Sequence, residues 1–295
     1  MSTIYCYRLL FDHISNIFCR NGRPLPGNYV TGNKEFSDKF IIHSPTNNIH
    51  SKEALKHLVE ENFLPETYFP REKVKTNDQN KVYFLKDINK DNGKGIKLLK
   101  GEEIPPIVPV NHVLQPAISS VLYHQRKFDI RFMICVKRTG EIMIYKNCLY
   151  RINPNVFIET QNDLDSSMYI TNTPFHGEDS LSFFEKTHPG EFDIENFLNQ
   201  VSDIIPRIFS RLLPISNSGH SESLDNSYFV AGLDFMQQRQ DKKLLFLELN
   251  LTPGWSKSLG ISFYQDFYHL VTDFILENDQ NTDECMYTST SAIAQ

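Results

Sequence analysis

The sequence KLLFLELNLTPGW, residues 243–255, combines the pattern of a buried strand with two polar residues. Its apolar run is typical of a strand that is covered on both faces, and a Pro–Gly turn ends it. Two polar residues interrupt the run, and because they lie two positions apart, Glu248 and Asn250 share one face of that strand. A carboxylate buried in this way is costly unless it is paired with a cation or bound to a metal.

The preceding strand, YFVAGLDFMQQ, carries a second acidic residue, Asp234, and the two segments are expected to pair as a hairpin. Carboxylate and amide oxygens are the ligands that Mg²⁺ takes in proteins, so Asp234, Glu248 and Asn250 could converge on one ion. An ion pair between Glu248 and an arginine would also account for the buried charge. The residues alone leave both interpretations open.

Cationic residues lie on other predicted strands. Lys127, Asp129 and Arg131 alternate in KFDIR and therefore face the same side. Lys86 ends the segment VYFLK, and Arg151 follows KNCLY. This pattern is compatible with the solvated outer face of a sheet. It is also compatible with a phosphate-binding set, since Mg²⁺ usually shares its ligand shell with nucleotide phosphates.

The loop DINKDNGKGI lies between two predicted strands and carries Gly93 and Gly95. These glycines could let backbone N–H groups approach phosphates. The loop matches neither the P-loop pattern nor GxGxxG, so the two nucleotide-binding folds with those motifs are disfavoured. Taken alone, it is also compatible with an ordinary turn.

Composition and charge argue against several classes of protein. The 295 residues carry a net charge of −6 and have a pI of about 5.9, which argues against a general nucleic-acid binder. The five cysteines are scattered and form no CxxC pair, so we expect a reducing cytosol and neither a disulfide framework nor a zinc site. We expect no signal peptide and no membrane span, because neither a clear cleavage site nor an apolar run of about 18 residues is found.

The spacing of apolar residues predicts the remaining elements. Strands are expected on both sides of the glycine loop, in VLQPAI after a Pro-rich connector, and in a long hairpin that turns at Thr139 and Gly140. Three helices are predicted, one from Ser51 to Pro65, one from Phe192 to Leu213 with a kink at Pro206, and a last one with Phe267 and Phe274. A flexible link is predicted over 71–80 and an irregular loop over 153–190.

Eight motifs occur in an order that resembles the tubulin-tyrosine-ligase-like family of ATP-grasp ligases. They are FLPETYFP, FLKDINKDNGKGI, VLQPAI, KFDIRFMICV, YKNCLYRI, YITNTPF, GLDF and FLELNLTPG, and they cover roughly residues 50–275. The combination of KFDIR with the later LDF and LELN is specific. The resemblance implies an α+β fold of the ATP-grasp type, in which two antiparallel β-sheet lobes hold the nucleotide and a small α/β lobe precedes them.

The resemblance also implies a division of the chain into four parts. Residues 1–50 would form the N-terminal α/β lobe, and residues 51–120 a central lobe with the glycine loop and a hinge. Residues 121–277 would form the C-terminal ATP-grasp lobe with the Mg²⁺ site. The polar residues 278–295 are predicted to be a disordered tail.

Roles for individual residues follow from the resemblance. They divide into contacts with the nucleotide, contacts with the group that is transferred, and ligands of the metal. Lys86 would contact ATP phosphates, Gln115 would lie in the hinge beside adenine, and Lys127 and Asp129 would face the nucleotide, with Asp129 at the ribose. Arg131 and Arg151 would hold the γ-phosphate and the acyl-phosphate, and Thr171 and Asn172 would line the phosphate and amino-acid end. The Mg²⁺ ligands would be Asp234, Glu248 and Asn250.

The implied function is an ATP- and Mg²⁺-dependent carboxylate–amine ligase. It would add an amino acid, such as Glu, Gly or Tyr, to a protein by way of an acyl-phosphate. Its partners would be a free amino acid and a protein acceptor, for which tubulin is one candidate, although the sequence shows no strongly basic appended domain that would bind an acidic microtubule surface. We expect no nucleic acid and no membrane partner, a monomer, and a cytoplasmic location.

Two other functions are compatible with the resemblance. The first is an enzyme of the same fold that acts on a small-molecule metabolite. The second is a nucleotide-binding scaffold without catalysis. All three expected metal ligands and the phosphate-binding cations are present, which argues against the scaffold.

Overall fold

The computed structural model describes residues 61–75, 81–90, 95–137, 140–159, 164–171, 181–182, 193–217, 228–250, 266–267, 270–271, 273–274 and 285–289. Predictions for residues 1–60, for Gly93 and for Asn172 lie outside the described residues. A 3₁₀ turn at Glu61–Phe63 begins the described part of the chain. Two antiparallel sheets then contain the strands.

The small sheet has three strands in the order β2–β1–β3, which are β1 (Val82–Asp87), β2 (Ile96–Lys100) and β3 (His112–Pro116). The β1–β2 hairpin requires a glycine where β2 begins. Gly95 has a φ of +74°, and a Cβ there would lie 2.6 Å from Lys90 Cδ and 3.0 Å from Asp87 Cβ. Only glycine adopts this conformation without strain. The strands predicted on both sides of the loop, and in VLQPAI, are confirmed.

The large sheet has eight strands and is built around a strand of 12 residues, β5. Its strands are β4 (Leu122–Tyr123), β5 (Arg126–Lys137), β6 (Glu141–Tyr145), β7 (Leu149–Ile152), β8 (Leu181–Ser182), β9 (Tyr228–Gln237), β10 (Leu244–Asn250) and β11 (Cys285–Ser289). Along one edge β5 pairs with β9, and along the other it pairs with β7 and then with β6. β10 pairs with β9, and β11 pairs with β6. Both predicted hairpins, β5–β6 and β9–β10, are confirmed.

The described part of the chain contains a short helix, α1 (Ser166–Tyr169), and a long one, α2 (Ile194–Asn217). The described residues 266–267, 270–271 and 273–274 are also helical, which agrees with the last helix predicted around Phe267 and Phe274. Helix α2 packs on one face of the large sheet through the apolar stripe predicted from its sequence. This stripe consists of Phe197, Val201, Ile204, Ile205 and Ile208, which are all buried. Burial of each such side chain stabilises the fold by about 1.5–3 kcal/mol. Neither helix has the length and apolar character that a membrane span requires.

One face of β5 and β9 packs in the core, and the opposite face carries polar residues. Ile130 and Phe132 of β5, with their partners Phe235 and Leu233 of β9, belong to the core that contains α2. Because successive side chains on a strand point to opposite faces, the residues between them point away from α2. This second face of the large sheet carries the polar residues described below.

A β-bulge in β10 lies between Phe246 and Glu248. Phe246 pairs with Phe235 on the core face and is fully buried, whereas Glu248 pairs with Asp234 on the opposite face. Residues two apart on a regular strand share a face, so the bulge reverses the face between these two positions. It keeps the phenyl ring in the core and turns the carboxylate to the polar face of the sheet.

Three predictions about irregular segments are wrong. Residues 71–74 are not a flexible link, because Arg71 and Val74 donate backbone hydrogen bonds to the connector at Val108 and Pro106. The loop predicted over 153–190 contains α1 and β8. The tail predicted to be disordered contains β11, which pairs with β6 along its whole length. In each case the segment is ordered by pairing with residues far away in the sequence, and the local composition does not indicate such pairing.

Candidate functional site

The polar residues predicted on strands meet on the face of the large sheet that points away from α2. Cross-strand partners share a face, and the register pairs Arg151 with Asp129 and Arg131 with Asp234. Glu248 pairs with Asp234 from its other side. These five residues therefore form a continuous polar row across β7, β5, β9 and β10.

Asp234 is the centre of a buried ion-pair network. Arg131 holds both of its carboxylate oxygens, with Nε 2.6 Å from Oδ1 and Nη2 2.8 Å from Oδ2. Arg151 Nη2 lies 2.8 Å from the same Oδ2, and Arg151 Nε lies 2.5 Å from Oδ1 of Asp129. The network places two carboxylates against two guanidinium groups, and such pairing lowers the cost of burying their charges. Arg131 thus pairs with Asp234, and Arg151 pairs with both Asp234 and Asp129.

The network controls the ionisation of its own carboxylates. Burial acts to raise the pKa of Asp234, but Arg131 and Arg151 outweigh it and hold that pKa at about 2. Burial raises the pKa of Asp129, and this rise is opposed by Arg151 and by the Thr171 hydroxyl. Burial also disfavours the charged form of Arg151, but the two carboxylates outweigh it and raise its pKa. Asp234 is therefore ionised at neutral pH.

Asp129 uses both of its carboxylate oxygens within the protein. One accepts from Arg151, and the other accepts from the Thr171 hydroxyl, which is itself buried. These contacts fix the orientation of the Arg151 guanidinium. The contact between Asp129 and a ribose stays a prediction, and so does the place of Thr171 at the phosphate end.

Lys127 lies on the same face of β5, close to the connection between the two sheets. Its Nζ donates to the carbonyl oxygen of Ile118 at 3.1 Å and lies 4.3 Å from the ring centroid of Phe157 and 5.6 Å from that of Tyr169. The residue is 3% exposed, and burial lowers the pKa of its amine to about 8. Both rings favour the charged form, so the amine is an ammonium ion at pH 7.

We expect the substitution Lys127→Met to change how stability depends on pH. Between pH 8 and the ordinary lysine pKa of 10.5, the unfolded chain binds more protons than the folded one, so wild-type stability rises with pH in this window. Below pH 8 the buried charge opposes folding in full. Relative to wild type, the free energy of unfolding of the variant should fall by about 3 kcal/mol from pH 7 to pH 10.5. Urea unfolding at both pH values measures this, and a constant difference would contradict a buried, charged Lys127.

On the small sheet, Lys86 and Gln115 face the same side of neighbouring strands. Lys86 Nζ donates to Gln115 Oε1 and lies 5.2 Å from the ring centroid of Phe84. Gln115 Nε2 donates to Thr67 Oγ1 at 2.7 Å. The observed partners of Gln115 are Thr67 and Lys86. The contact of Gln115 with adenine stays a prediction.

A group of aromatic rings lies between Lys86 of the small sheet and Lys127 of the large sheet. The ring of Phe84 on β1 packs edge-on against Tyr169 of α1 with 6.1 Å between centroids, and Tyr169 packs against Phe157 at 5.0 Å. Lys86 lies over the first of these rings, and Lys127 lies over the other two. The two lysines therefore flank the same aromatic group, one from each sheet.

The side chains of Asp234, Glu248 and Asn250 suit a hard divalent cation. Asn250 Nδ2 lies 3.1 Å from Asp234 Oδ2, and Glu248, which is half-buried, pairs with Asp234 across the strands. Mg²⁺ is usually bound by one or two carboxylates together with phosphates of the substrate. In the described ranges, no cluster of three or more His, Cys, Asp or Glu residues could hold a metal by itself. With two carboxylates and one amide, the donor set fits a cation that shares its shell with phosphate.

Two residues near the site were missed by the sequence-based predictions, Thr67 and Asn153. Asn153 is fully buried, and its Nδ2 donates to the carbonyl oxygens of Ser167 and Ile170 at 2.7 and 3.0 Å. These bonds hold α1, with its aromatic residue Tyr169, against the end of β7. An Asn followed by Pro after a strand indicates only a turn, so this role of Asn153 cannot be predicted from the local sequence.

A model of the tubulin-tyrosine ligase family matches residues 19–281, which is most of the chain. A comparison with curated proteins finds no match. Members of this family are ATP-dependent ligases with an ATP-grasp-like fold. The mainly antiparallel sheets and few helices of the described residues agree with that fold class.

Proposed function

Because the chain belongs to the tubulin-tyrosine ligase family, we propose that it is an ATP- and Mg²⁺-dependent carboxylate–amine ligase that adds an amino acid to a protein. The buried network of Asp234, Arg131 and Arg151 carries this proposal. Two guanidinium groups held side by side on a sheet face can bind a transferring phosphoryl group and neutralise its charge. The neighbouring carboxylate and amide donors fit the cation that accompanies ATP.

The proposed reaction has two steps. A carboxylate oxygen attacks the γ-phosphorus of ATP, the bond to the β–γ bridging oxygen breaks, and an acyl-phosphate and ADP are formed. The amine then attacks the carbonyl carbon, an amide bond forms, and inorganic phosphate leaves while the amine loses a proton. Neither step needs a covalent nucleophile from the protein, so the protein acts by positioning and by electrostatic stabilisation.

Each group at the site has a task in this scheme. Arg131 and Arg151 bind the γ-phosphate and then the acyl-phosphate, and Asp129 orients Arg151 for this purpose. Lys86 contacts the phosphates from the small sheet. Asp234, Glu248 and Asn250 would hold Mg²⁺, which supplies neutralisation of the phosphate charge when bound. The remaining predicted contacts to the nucleotide come from Gln115, Lys127, Thr171 and Asn172.

We expect the protein to bind a divalent cation well only together with a nucleotide. Without nucleotide, both oxygens of Asp234 are taken by Arg131 and Arg151, and a bare cation would have to displace a buried guanidinium. Phosphate oxygens offer the arginines another partner and so release Asp234. Proton relaxation enhancement with Mn²⁺ should show affinity at least about tenfold higher when a non-hydrolysable ATP analogue is present.

The substitution Arg131→Gln is the informative comparison for this prediction. It removes one of the two competing cations and leaves Arg151 to pair with the carboxylates. The variant should bind Mn²⁺ more tightly than wild type when nucleotide is absent. Equal Mn²⁺ affinity of the wild-type protein with and without nucleotide would contradict the prediction.

The proposed activity is tested by ADP release from Mg-ATP with each of the twenty amino acids in turn. Each reaction is run with and without a cell lysate as the source of acceptor proteins, and a lysate without the enzyme is the control. Release that requires both the lysate and one amino acid supports the proposal and identifies the donor. Release with a small molecule and no lysate would instead support an enzyme that acts on a metabolite.

A further inference from the structure

We propose that Thr67 is a positioning residue for Lys86 and that it acts through the side chain of Gln115. The proposal rests on the proposed function, since it takes Lys86 as a phosphate contact. The three residues come from three separate segments of the chain. They are Thr67 in the segment before β1, Lys86 on β1 and Gln115 on β3.

A chain of hydrogen bonds joins these residues to the backbone. The Thr67 hydroxyl donates to the carbonyl oxygen of Pro65 at 2.8 Å and accepts from Gln115 Nε2 at 2.7 Å. Gln115 Oε1 then accepts from Lys86 Nζ. The ammonium ion is therefore linked to a fixed backbone carbonyl by way of one amide and one hydroxyl.

The direction of every bond in this chain is determined by its two ends. The carbonyl of Pro65 can only accept, so the single hydroxyl proton of Thr67 is donated to it. The hydroxyl oxygen is then left to accept, which turns the NH₂ group of Gln115 toward Thr67 and its carbonyl oxygen toward Lys86. An ammonium ion can only donate, so this amide orientation is the one that holds it.

The backbone around Thr67 is held firmly against β3. Tyr68 N donates to Leu114 O at 2.8 Å, and Leu114 N donates to Tyr68 O at 2.9 Å, so Thr67 and Gln115 are neighbours of a paired bridge. Lys86 is also in contact with the ring of Phe84 on its own strand. A long, flexible lysine side chain loses less freedom on binding a phosphate when it is already held in one place.

The test compares the dissociation constants of Mg-ATP and of adenosine for wild type, Thr67→Val and Thr67→Ser. Valine has the shape of threonine but has no hydroxyl group, whereas serine keeps the hydroxyl. We expect Thr67→Val to weaken ATP binding about tenfold and to leave adenosine binding unchanged, because adenosine has no phosphate for Lys86. Thr67→Ser should bind ATP as wild type does. A purely structural role would change both ligands alike, and that result would overturn the proposal.

A double-mutant cycle with Lys86→Met shows whether Thr67 acts through this lysine. In the background of Lys86→Met, the further change Thr67→Val should have no effect on ATP affinity. A further loss of about tenfold in that background would overturn the proposal. Gln115→Leu is a second variant that removes the amide link and should weaken ATP binding at least as much as Thr67→Val does. A wild-type protein that binds ATP no more tightly than adenosine would instead contradict the proposed function itself.

Discussion

Replacing Arg151 by alanine is expected to reduce ADP formation by about 10³-fold or more and to destabilise the fold by about 3–5 kcal/mol. The kinetic loss arises because the proposed γ-phosphate contact is removed. The loss of stability arises because Asp129 loses its guanidinium partner and Asp234 loses one of two, while both carboxylates stay buried. Rates of ADP release and urea unfolding measure the two effects.

Two further variants separate catalysis from stability at this position. Arg151→Lys keeps the charge but has a single nitrogen in place of the Nε and Nη2 with which Arg151 reaches Asp129 and Asp234, so it should fold and still lose most of its activity. Arg207→Ala is the control, because Arg207 forms an exposed ion pair with Asp203 on α2, on the other side of the sheet. It should change stability by less than about 1 kcal/mol. Wild-type activity in Arg151→Lys would contradict the role given to Arg151.

Replacing Glu248 by glutamine is expected to reduce ADP formation by about 10²–10³-fold while the fold is retained. The substitution keeps the shape of the side chain and removes one negative charge from the proposed cation ligands. A bound cation stabilises the transition state of phosphoryl transfer by several kcal/mol, and about 1.4 kcal/mol corresponds to tenfold in rate. The Mg²⁺ concentration that gives half-maximal activity should rise at least about tenfold, since the site binds the cation less tightly.

The control for this variant is Glu141→Gln. Glu141 is 49% exposed at the start of β6 and pairs with Lys137, away from the polar row. It should leave both the rate and the Mg²⁺ dependence unchanged. An unchanged rate in Glu248→Gln, or a lower rate with the same Mg²⁺ dependence, would contradict the role of Glu248 as a metal ligand.

The convergence of Asp234 and Glu248 could be predicted from the sequence because it depends on local rules. Two strand signals that follow each other pair as a hairpin, and a spacing of two places Glu248 and Asn250 on one face. Strict alternation, however, would also place Phe246 on that face. The structure resolves this conflict with the bulge, which leaves the ring of Phe246 packed against Phe235. Such tertiary packing cannot be predicted from the alternation of apolar and polar residues along a strand.

The partners of the arginines could not be predicted in the same way. Arg131 and Asp234 are far apart in sequence, and so are Thr67 and Gln115, so their contacts depend on the register between strands and on the position of the connector. The sequence indicated which side chains are polar on buried strands. Which of them neutralise each other was decided by the assembled sheet. This is why the pairing of Asp129 with Arg151 was not predicted.

Anomalous diffraction from crystals grown with Mn²⁺ and a non-hydrolysable ATP analogue would locate the cation and the nucleotide directly. We predict a Mn²⁺ peak beside Asp234, Glu248 and Asn250, with the γ-phosphate against Arg131 and Arg151. Asp234 should then have exchanged at least one guanidinium partner for the cation. A nucleotide bound elsewhere, or a Mn²⁺ peak away from these residues while Asp234 keeps both arginines, would contradict the proposed site.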